Sequence, residues 1–264
     1  DLDGAVFDVS DAYRAAWDAF VPPHNQAAHD PPAAWNGRFD AVLSFFALEH
    51  ADDPHAFLTT IRRLLRPGGD LFLTVPNVRR NAGDFIVVDH VNHFMPSSLR
   101  RILTATGFTD IELDEDAHES AYAVRARRGV QVRAPIELAA SDGTAVARYA
   151  EEARGLAAFW SAAGDAVAAF ERNVARGRKS AIYGSGFYGV FIAGRLADRS
   201  NVACFLDRNL HQQAQRPFDR PVLPPDDIED DVEVVYAGLN PARAHDILAG
   251  VPALRRRPRD TFFL

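Results

Sequence analysis

The sequence has very little cysteine and no long apolar run. Its 264 residues include a single cysteine, Cys204. One cysteine excludes an internal disulfide framework and any zinc site built from several cysteines, and its place within VACFLD predicts a small buried apolar residue. No run approaches the roughly 18 apolar residues of a membrane-spanning helix, and no signal sequence opens the chain, so we predict a cytoplasmic protein.

The chain also lacks the positive charge of a nucleic-acid-binding protein. Its 29 Lys and Arg residues are outnumbered by 36 Asp and Glu residues, for a formal net charge of −7. Because general binding to phosphate backbones requires a basic face, we predict no nucleic-acid partner and interpret the short basic run LRRRPR as a solvated tail. The 47% hydrophobic and 25% charged residues are typical of a globular protein, and the length allows two domains.

Short apolar runs alternate with helical patterns through the first half of the chain. The runs 4–10, 39–48 and 70–77 have the composition of buried strands, whereas 10–20 and 54–69 have helical periodicity, the latter closed by Pro-Gly-Gly. A third helix with a glycine stop and two further strand-like runs follow. This alternation is typical of a parallel sheet covered by helices.

A change in composition separates the two halves. From about Asp142 to Arg178 the chain is rich in Ala, Glu and Arg at helical spacing, which predicts one or two linking helices. A second α/β unit follows, with VEVVYAGLN as one of its strands. We therefore predict an α/β protein of two doubly wound, Rossmann-like domains, residues 1–130 and 179–264, joined by a helical linker, residues 131–178.

The run IYGSGFYGVFIAG joins an apolar strand to a helix through Gly184, Gly186 and Gly189. Glycines at this spacing permit a tight turn, a close approach of the backbone to a pyrophosphate, and close packing of helix on strand. Asp207 ends the next apolar run, where a carboxylate would bind a ribose, and Asn240 ends a later strand at the same edge. These residues predict either a nucleotide site or a purely structural turn.

Residues 39–77 carry the most specific pattern in the chain. They read FDAVLSFFALEHADDPHAFLTTIRRLLRPGGDLFLTVPN, in the order strand, Leu-Glu-His, Asp-Pro, helix, Arg-Pro-Gly-Gly, strand, Val-Pro-Asn. This stretch resembles the core of class I S-adenosylmethionine-dependent methyltransferases. The resemblance implies a methyltransferase with S-adenosylmethionine as its cofactor.

The resemblance places the cofactor at the carboxyl ends of the strands, where open parallel sheets bind their ligands. It implies that Asp8 takes the ribose hydroxyls and that Asp30 lies near the adenine. It also implies that Ser44, Phe45 and Phe46 line the methionine end, and that Glu49 and His50, at the entrance of the next helix, are further cofactor-binding residues. Helix capping and loop hydrogen bonding are the alternative roles of the last two. The glycine-rich loop of this family is absent, since only seven residues precede Asp8, so the first domain is expected to be truncated at its N-terminus.

Three titratable residues, Asp89, His90 and His93, follow the Val-Pro-Asn strand. Histidine exchanges protons near neutral pH, so His90 is a candidate general base for methyl transfer, with Asp89 and His93 beside it. The alternative is that these side chains hold the loop by backbone hydrogen bonds. A metal site would need a third strong ligand beside the two histidines, so we predict no metal.

The second half resembles the C-terminal domain of bacterial sugar C-methyltransferases, through IYGSGFYG, CFLDRNLHQQAQRPFDRPVLPPDDI and VEVVYAGLNPARAHDIL. Those enzymes methylate a carbon of a nucleotide-linked keto sugar and carry an acidic-His segment that Asp89 and His90 resemble. The resemblance implies that His90 removes a proton next to the keto group, and that the glycine turn with Asp207 and Asn240 holds the nucleotide. His93 stands where that family has a tyrosine, and the N-terminal zinc module of that family is absent.

We therefore predict methylation of a small molecule, most specifically of a carbon in a nucleotide-linked keto sugar. The alternatives are O- or N-methylation of another metabolite and a nucleotide-binding module without chemistry. NAD(P) is an alternative ligand of the glycine turn. The sequence leaves the oligomeric state open.

Overall fold

The computed structural model of the chain describes residues 3–130 and 143–264. These residues form two compact units. The first unit contains residues 3–80 and 89–130, and the second contains 143–264 together with the short segment 81–88. Assignment of this segment to the second unit was not predicted. Part of the predicted linker, residues 131–142, lies outside the described residues.

Six strands of the first unit form two sheets: β1 (Val6–Asp8), β2 (Gln26–Ala28), β3 (Phe39–Phe45), β4 (Leu65–Pro76), β5 (Phe108–His118) and β6 (Ala121–Arg128). β1 and β2 pair in parallel as a separate sheet. The other four are ordered β3-β4-β6-β5, with β3 parallel to β4 and the other pairs antiparallel. The strands predicted for the first domain therefore form two sheets instead of one, because among the described residues no strand pairs β1 to β3.

The helices of the first unit are α1 (Arg14–Trp17), α2 (Pro54–Leu64) and α3 (Pro96–Ala105). α2 begins where the Asp53 carboxylate accepts a hydrogen bond from the Ala56 N–H at 3.0 Å, an N-cap that satisfies a donor of the first turn. Its inner face buries Leu58 and Ile61 in the core beneath the sheet. α2 forms at the predicted place, whereas α1 is much shorter than the helix predicted over 10–20.

The prediction that Pro67, Gly68 and Gly69 form a turn closing a helix is wrong in its location. α2 ends at Leu64, and the three residues lie within β4. The register of β4 against β3 shifts there, and Gly68 has a φ of +78°. The three residues therefore form an irregular segment within a strand, at a backbone conformation that favours glycine.

The strand predicted at 39–48 is confirmed by β3, but its predicted burial is wrong. β3 is an edge strand, and the side chains of Leu43 and Phe45 are 61% and 62% exposed. Apolar composition predicted burial, but burial depends on a neighbouring layer, and this face of β3 has none among the residues described.

The second unit contains a parallel five-stranded sheet ordered β11-β10-β7-β8-β9. Its strands are β7 (Ser180–Tyr183), β8 (Val202–Leu206), β9 (Val222–Leu223), β10 (Val234–Ala237) and β11 (Asp260–Phe263). The chain builds outward from β7 in one direction through β8 and β9, and then in the other through β10 and β11. This is a doubly wound order, and its switch point lies between β7 and β10.

The helices of the second unit are α4 (Gly143–Phe170), α5 (Phe187–Arg195), α6 (Leu210–Gln213), α7 (Ala244–Ala249) and α8 (Pro252–Arg255). A π-helical turn, Glu171–Ala175, follows α4. The helix predicted near residues 142–178 is confirmed by α4, which packs Val167 into the core of this unit. No helix within the described ranges combines the length and the hydropathy that crossing a membrane requires.

Cys204 on β8 is buried, as predicted, with 4% of its surface exposed, and burial raises the pKa of its thiol to about 11. Since the thiolate is the reacting form, we expect native protein at pH 8 to react with iodoacetamide at least about 100-fold more slowly than an exposed cysteine. Mass spectrometry of alkylated protein measures this rate. Urea-unfolded protein is the control and should react at the ordinary rate, whereas rapid labelling of the native chain would contradict the burial of this thiol.

Candidate active site

β1 ends at Asp8, the predicted ribose ligand. Its Oδ1 accepts a hydrogen bond from the Ser10 N–H at 2.9 Å. The backbone N–H of His29 donates to the Asp8 carbonyl at 2.9 Å, which brings the loop after β2 beside the loop after β1. Asp30, the predicted adenine neighbour, is exposed in that second loop. The structure therefore places both acids at the carboxyl ends of two paired strands.

Ser44, Phe45 and Phe46, the predicted lining of the methionine end, lie at the carboxyl end of β3. Phe46 has a φ of +49°, a left-handed conformation that is rare for a bulky side chain. Its N–H donates to the Thr74 carbonyl at 3.0 Å, and its ring makes an edge contact with His118. Strained backbone of this kind concentrates at functional sites, and here the ring of Phe46 is 43% exposed.

Three ligand-type side chains meet just beyond β3. The oxygen or ring-nitrogen atoms of Glu49, His50 and His90 all lie within 4.8 Å of one another. The rings of His50 and His90 meet edge to face with centroids 4.7 Å apart, and Glu49 is only 1% exposed. A buried carboxylate therefore lies beside two imidazoles at the edge where a ligand of the sheet would bind.

Hydrogen bonds between two loops hold this group together. Nδ1 of His50 lies 2.9 Å from the Asp89 carbonyl oxygen, and since a carbonyl only accepts, the ring nitrogen must be the donor. The Asp89 carboxylate is 3.5 Å from the same nitrogen. Nδ2 of Asn92 donates to the Ala51 carbonyl at 2.7 Å, and its backbone N–H donates to the Glu49 carbonyl at 3.1 Å. The loop carrying His90 is thus tied to the loop carrying Glu49 and His50.

The predicted cluster of Asp89, His90 and His93 takes a different form. His90 joins Glu49 and His50, Asp89 faces His50, and His93 is exposed outside the three-residue group. Two imidazoles and a carboxylate also form a ligand set of the kind that transition metals bind. Glu49 was not predicted as a third ligand because it lies far from His90 along the chain, and no local spacing signals their contact.

The glycine turn of the second unit shows tight backbone packing. A Cβ atom on Gly184, whose φ is +92°, would overlap the Gly238 carbonyl, and one on Gly189 would overlap the Gly184 carbonyl. These glycines allow the ends of β7 and β10 and the start of α5 to touch. Gly186 differs, because a Cβ there meets nothing within 4 Å and its φ of −76° suits any residue. Of the predicted glycines, only Gly186 lacks a packing requirement.

Asp207 and Asn240 make contacts within their own turns. The Asp207 carboxylate accepts hydrogen bonds from the Ser185 N–H at 3.0 Å, the Ser185 hydroxyl at 2.9 Å and the Asn209 N–H at 2.9 Å. The side-chain oxygen of Asn240 accepts one from the Ala242 N–H at 3.1 Å. These contacts give both residues a structural role, and their predicted roles in ligand binding stay predictions.

A cavity of about 410 Å³ opens beside this turn. It is lined by Ser185, His211, Gln212, Gln215, Arg216 and Pro217. Its volume suits part of a small-molecule ligand, and its side chains offer hydrogen-bond donors and positive charge. This lining was not predicted, although the polar run HQQAQR, shortly after the end of β8, is a signal for it.

A comparison with protein families finds a match within the first unit. The methyltransferase-domain family matches residues 3–113, which is less than half of the chain. Residues 3–113 are therefore similar to a methyltransferase domain. This match agrees with the methyltransferase that residues 39–77 predicted, and the resemblance implies S-adenosylmethionine as the cofactor.

Curated relatives match parts of the same region. The chain is 46% identical over 52 residues to a ubiquinone biosynthesis O-methyltransferase of Xanthomonas oryzae pv. oryzae, covering 20% of this chain and 22% of the relative. It is 30% identical over 107 residues to a ubiquinone biosynthesis O-methyltransferase of Aromatoleum aromaticum, covering 35% of this chain and 46% of the relative. The chain therefore spans less than half the length of each of these two relatives.

Solved structures show weaker similarity. An S-adenosylmethionine-dependent methyltransferase from Mesorhizobium loti aligns with 46% of this chain and 78% of its own, at 17% identity and a TM-score of 0.36. The carbon methyltransferase of CurJ aligns with 47% of this chain and 40% of its own, at 14% identity and a TM-score of 0.35. Similarity at this level does not identify an acceptor.

The residues present fit S-adenosylmethionine in part. Asp8 offers a carboxylate at the end of β1, and Phe45 and Phe46 offer an exposed apolar wall at the end of β3. A glycine-rich cradle for the methionine carboxylate is not among the described residues that precede Asp8. When the donor binds, Asp8 would meet its ribose and the two phenylalanines would lie near its methyl end.

Proposed function

We propose that the protein transfers a methyl group from S-adenosylmethionine to a carbon of a nucleotide-linked keto sugar, with His90 as the general base. The observation that carries the proposal is the position of His90. Its ring lies against His50, directly after β3, at the edge that also presents Ser44, Phe45 and Phe46. The proposed base and the residues proposed to line the donor would therefore lie beside the same acceptor molecule.

The chemistry that this edge would perform is proton removal. S-adenosylmethionine, when bound, supplies the electrophilic methyl group. His90 would accept a proton from the carbon next to the keto group, and the electron pair of the broken C–H bond would pass into an enolate. The enolate carbon would be the nucleophile for the methyl group, with S-adenosylhomocysteine as the leaving group. His50, held by Asp89 through its ring N–H, would fix the ring against which His90 packs.

Methylation of a hydroxyl oxygen is a second candidate, favoured by the relatives named ubiquinone biosynthesis O-methyltransferases. It would need the same donor and base, but the proton would leave an oxygen instead of a carbon. Incubation with deuterated water separates the two. A C-methyltransferase would exchange the acidic C–H of its keto-sugar acceptor, whereas an O-methyltransferase would exchange no carbon-bound hydrogen.

In the second unit we propose a nucleotide site beside Gly186, in the cavity that His211 and Arg216 line. Exposed backbone at Gly186 and a cationic Arg216 suit a diphosphate. NAD(P) at the same turn, and a nucleotide-binding module without transfer activity, are the competing proposals. We also propose that the protein is cytoplasmic.

Calorimetric titration of this chain with S-adenosylhomocysteine, and separately with NAD, tests the donor site. We expect S-adenosylhomocysteine to bind and Asp8→Ala to weaken it about 10-fold or more, because a charged hydrogen bond to the ribose is lost. Asp40→Ala, at the opposite end of β3, is the matched control and should bind normally.

Two results would count against this assignment. Equal affinity of wild-type and Asp8→Ala chains would remove Asp8 from the ribose site. Binding of NAD alone would move the nucleotide chemistry to the glycine turn and would leave the methyltransferase domain without a donor.

A further inference from the structure

Two segments of the first unit bring three metal-ligating side chains to one place. The loop after β3 supplies Glu49 and His50, and the segment before α3 supplies His90. One oxygen or ring-nitrogen atom of each lies within 4.8 Å of the other two. No metal was predicted, because His90 and His93 lack a third strong ligand nearby in the sequence. The folded chain instead gives His90 two partners from about 40 residues earlier in the chain.

The spacing of these atoms is close to that of the ligands around a bound zinc ion. Tetrahedral zinc, with bonds of about 2.0–2.2 Å, holds neighbouring ligand atoms about 3.4 Å apart. Each pair of atoms in this group must therefore approach by at most about 1.4 Å to bind one ion. Small rotations of two side chains, shared between them, provide that approach.

A hydrogen bond prepares the His50 ring for a metal. Nδ1 of His50 donates to the Asp89 carbonyl at 2.9 Å, so in the neutral ring Nε2 carries the lone pair. Histidines that bind metals almost always donate their other ring N–H in this way, which fixes the tautomer and the orientation of the ring. The Asp89 carboxylate, 3.5 Å from the same Nδ1, makes the ring more basic and so a stronger ligand.

Burial and loop contacts favour the binding of a cation here. Glu49 is only 1% exposed, and its carboxylate would offset part of the charge of a divalent ion where water screens little. His50 is exposed, so an ion can enter from solution. Asn92 bonds to the carbonyls of Glu49 and Ala51, which holds the two segments together before any ion binds.

We propose that Glu49, His50 and His90 bind a divalent ion of the zinc class, with water as the fourth ligand, and that the bound ion blocks methyl transfer. The ligand set selects the metal, because imidazole suits zinc and its neighbours whereas magnesium and calcium prefer oxygen ligands. The inhibition rests on the proposed role of His90 as the base. An imidazole that binds zinc through one nitrogen keeps its proton on the other, so it cannot accept a proton from the acceptor.

Calorimetric titration of the full chain with zinc chloride tests the site, after treatment with EDTA and removal of the chelator. We expect one zinc ion to bind per chain at this site, and magnesium chloride to bind at least about 100-fold more weakly. Glu49→Gln and His90→Gln should each weaken zinc binding about 10-fold or more, because each removes one of three ligands. His24→Gln, which removes an exposed histidine outside this group, is the matched control and should bind zinc as the wild type does.

Two measurements on the wild-type chain complete the test and need no variant to fold. In NMR spectra, zinc should shift the ring signals of His50 and His90 and leave those of His24 in place. Initial rates of methyl transfer to a keto-sugar acceptor should fall as zinc is added, with a midpoint at the dissociation constant from calorimetry. EDTA should restore the rate.

The outcomes separate the site from its effect. Absence of zinc binding, equal affinities of the wild type, Glu49→Gln and His90→Gln, or unmoved signals of His50 and His90 would each overturn the site. Undiminished methyl transfer by the zinc-loaded chain would overturn the inhibition. Absence of methyl transfer by the metal-free wild type would instead count against the proposed function, and calorimetry and NMR would still decide whether the three residues bind zinc.

Discussion

Replacement of His90 by glutamine is expected to lower kcat by about 10²- to 10⁴-fold, the range that a positioned general base contributes. Glutamine keeps a polar side chain of similar reach but cannot accept the proton of the acceptor. Binding of S-adenosylhomocysteine should stay within about twofold of the wild type, since His90 lies at the acceptor end. Initial rates of methyl transfer, together with calorimetry, measure the two effects.

His24→Gln is the matched control for this variant. His24 precedes β2 at the end of the strand opposite to Asp8, away from the candidate active site. Its replacement should leave kcat unchanged. Normal turnover in His90→Gln would restrict His90 to holding its loop, the alternative that the sequence analysis left open.

Replacement of Gly189 by alanine is expected to destabilise the second unit by at least about 3 kcal/mol, or to prevent its folding, because the added methyl overlaps the Gly184 carbonyl. The start of α5 would have to move away from the ends of β7 and β10, against the packing of Gly238 on the same backbone. Urea denaturation followed by circular dichroism gives the free energy of unfolding.

Gly194→Ala provides the contrast within the same helix. A Cβ atom on Gly194 meets nothing within 4 Å, so alanine should stabilise α5 by roughly 0.5–1 kcal/mol through its higher helix propensity. The two Gly-to-Ala changes, five residues apart, should change the free energy of unfolding in opposite directions. That result would establish that close backbone contact, and not helix propensity, is the reason for glycine at position 189. Equal effects would refute the packing role of the glycine turn.

Much of the methyltransferase domain could be read from local patterns. The order of motifs in residues 39–77 predicted the family, and helical periodicity after Asp53 predicted α2. In the second unit, the spacing of Gly184 and Gly189 predicted the strand, turn and helix that the structure contains. These features depend on neighbours in the chain, through capping, periodicity and allowed backbone angles, so sequence alone determines them.

The composition of the candidate active site required the tertiary structure. Asp89, His90 and His93 were named together because they are neighbours in sequence, yet the folded chain joins His90 to Glu49 and His50. Asn92 and the His50 ring create that arrangement by bonding two loops that no local spacing relates. A contact between distant segments depends on where each strand ends in the sheet, which a periodicity does not specify.

The sequence by itself determined the α/β elements, the methyltransferase-like motif order of residues 39–77 and the glycine turn, because backbone preferences and short motifs act over a few residues. The tertiary structure alone decided that β3 lies exposed at an edge and that Glu49 meets two histidines. Each of these depends on which surfaces pack together, and packing joins side chains far apart in the chain.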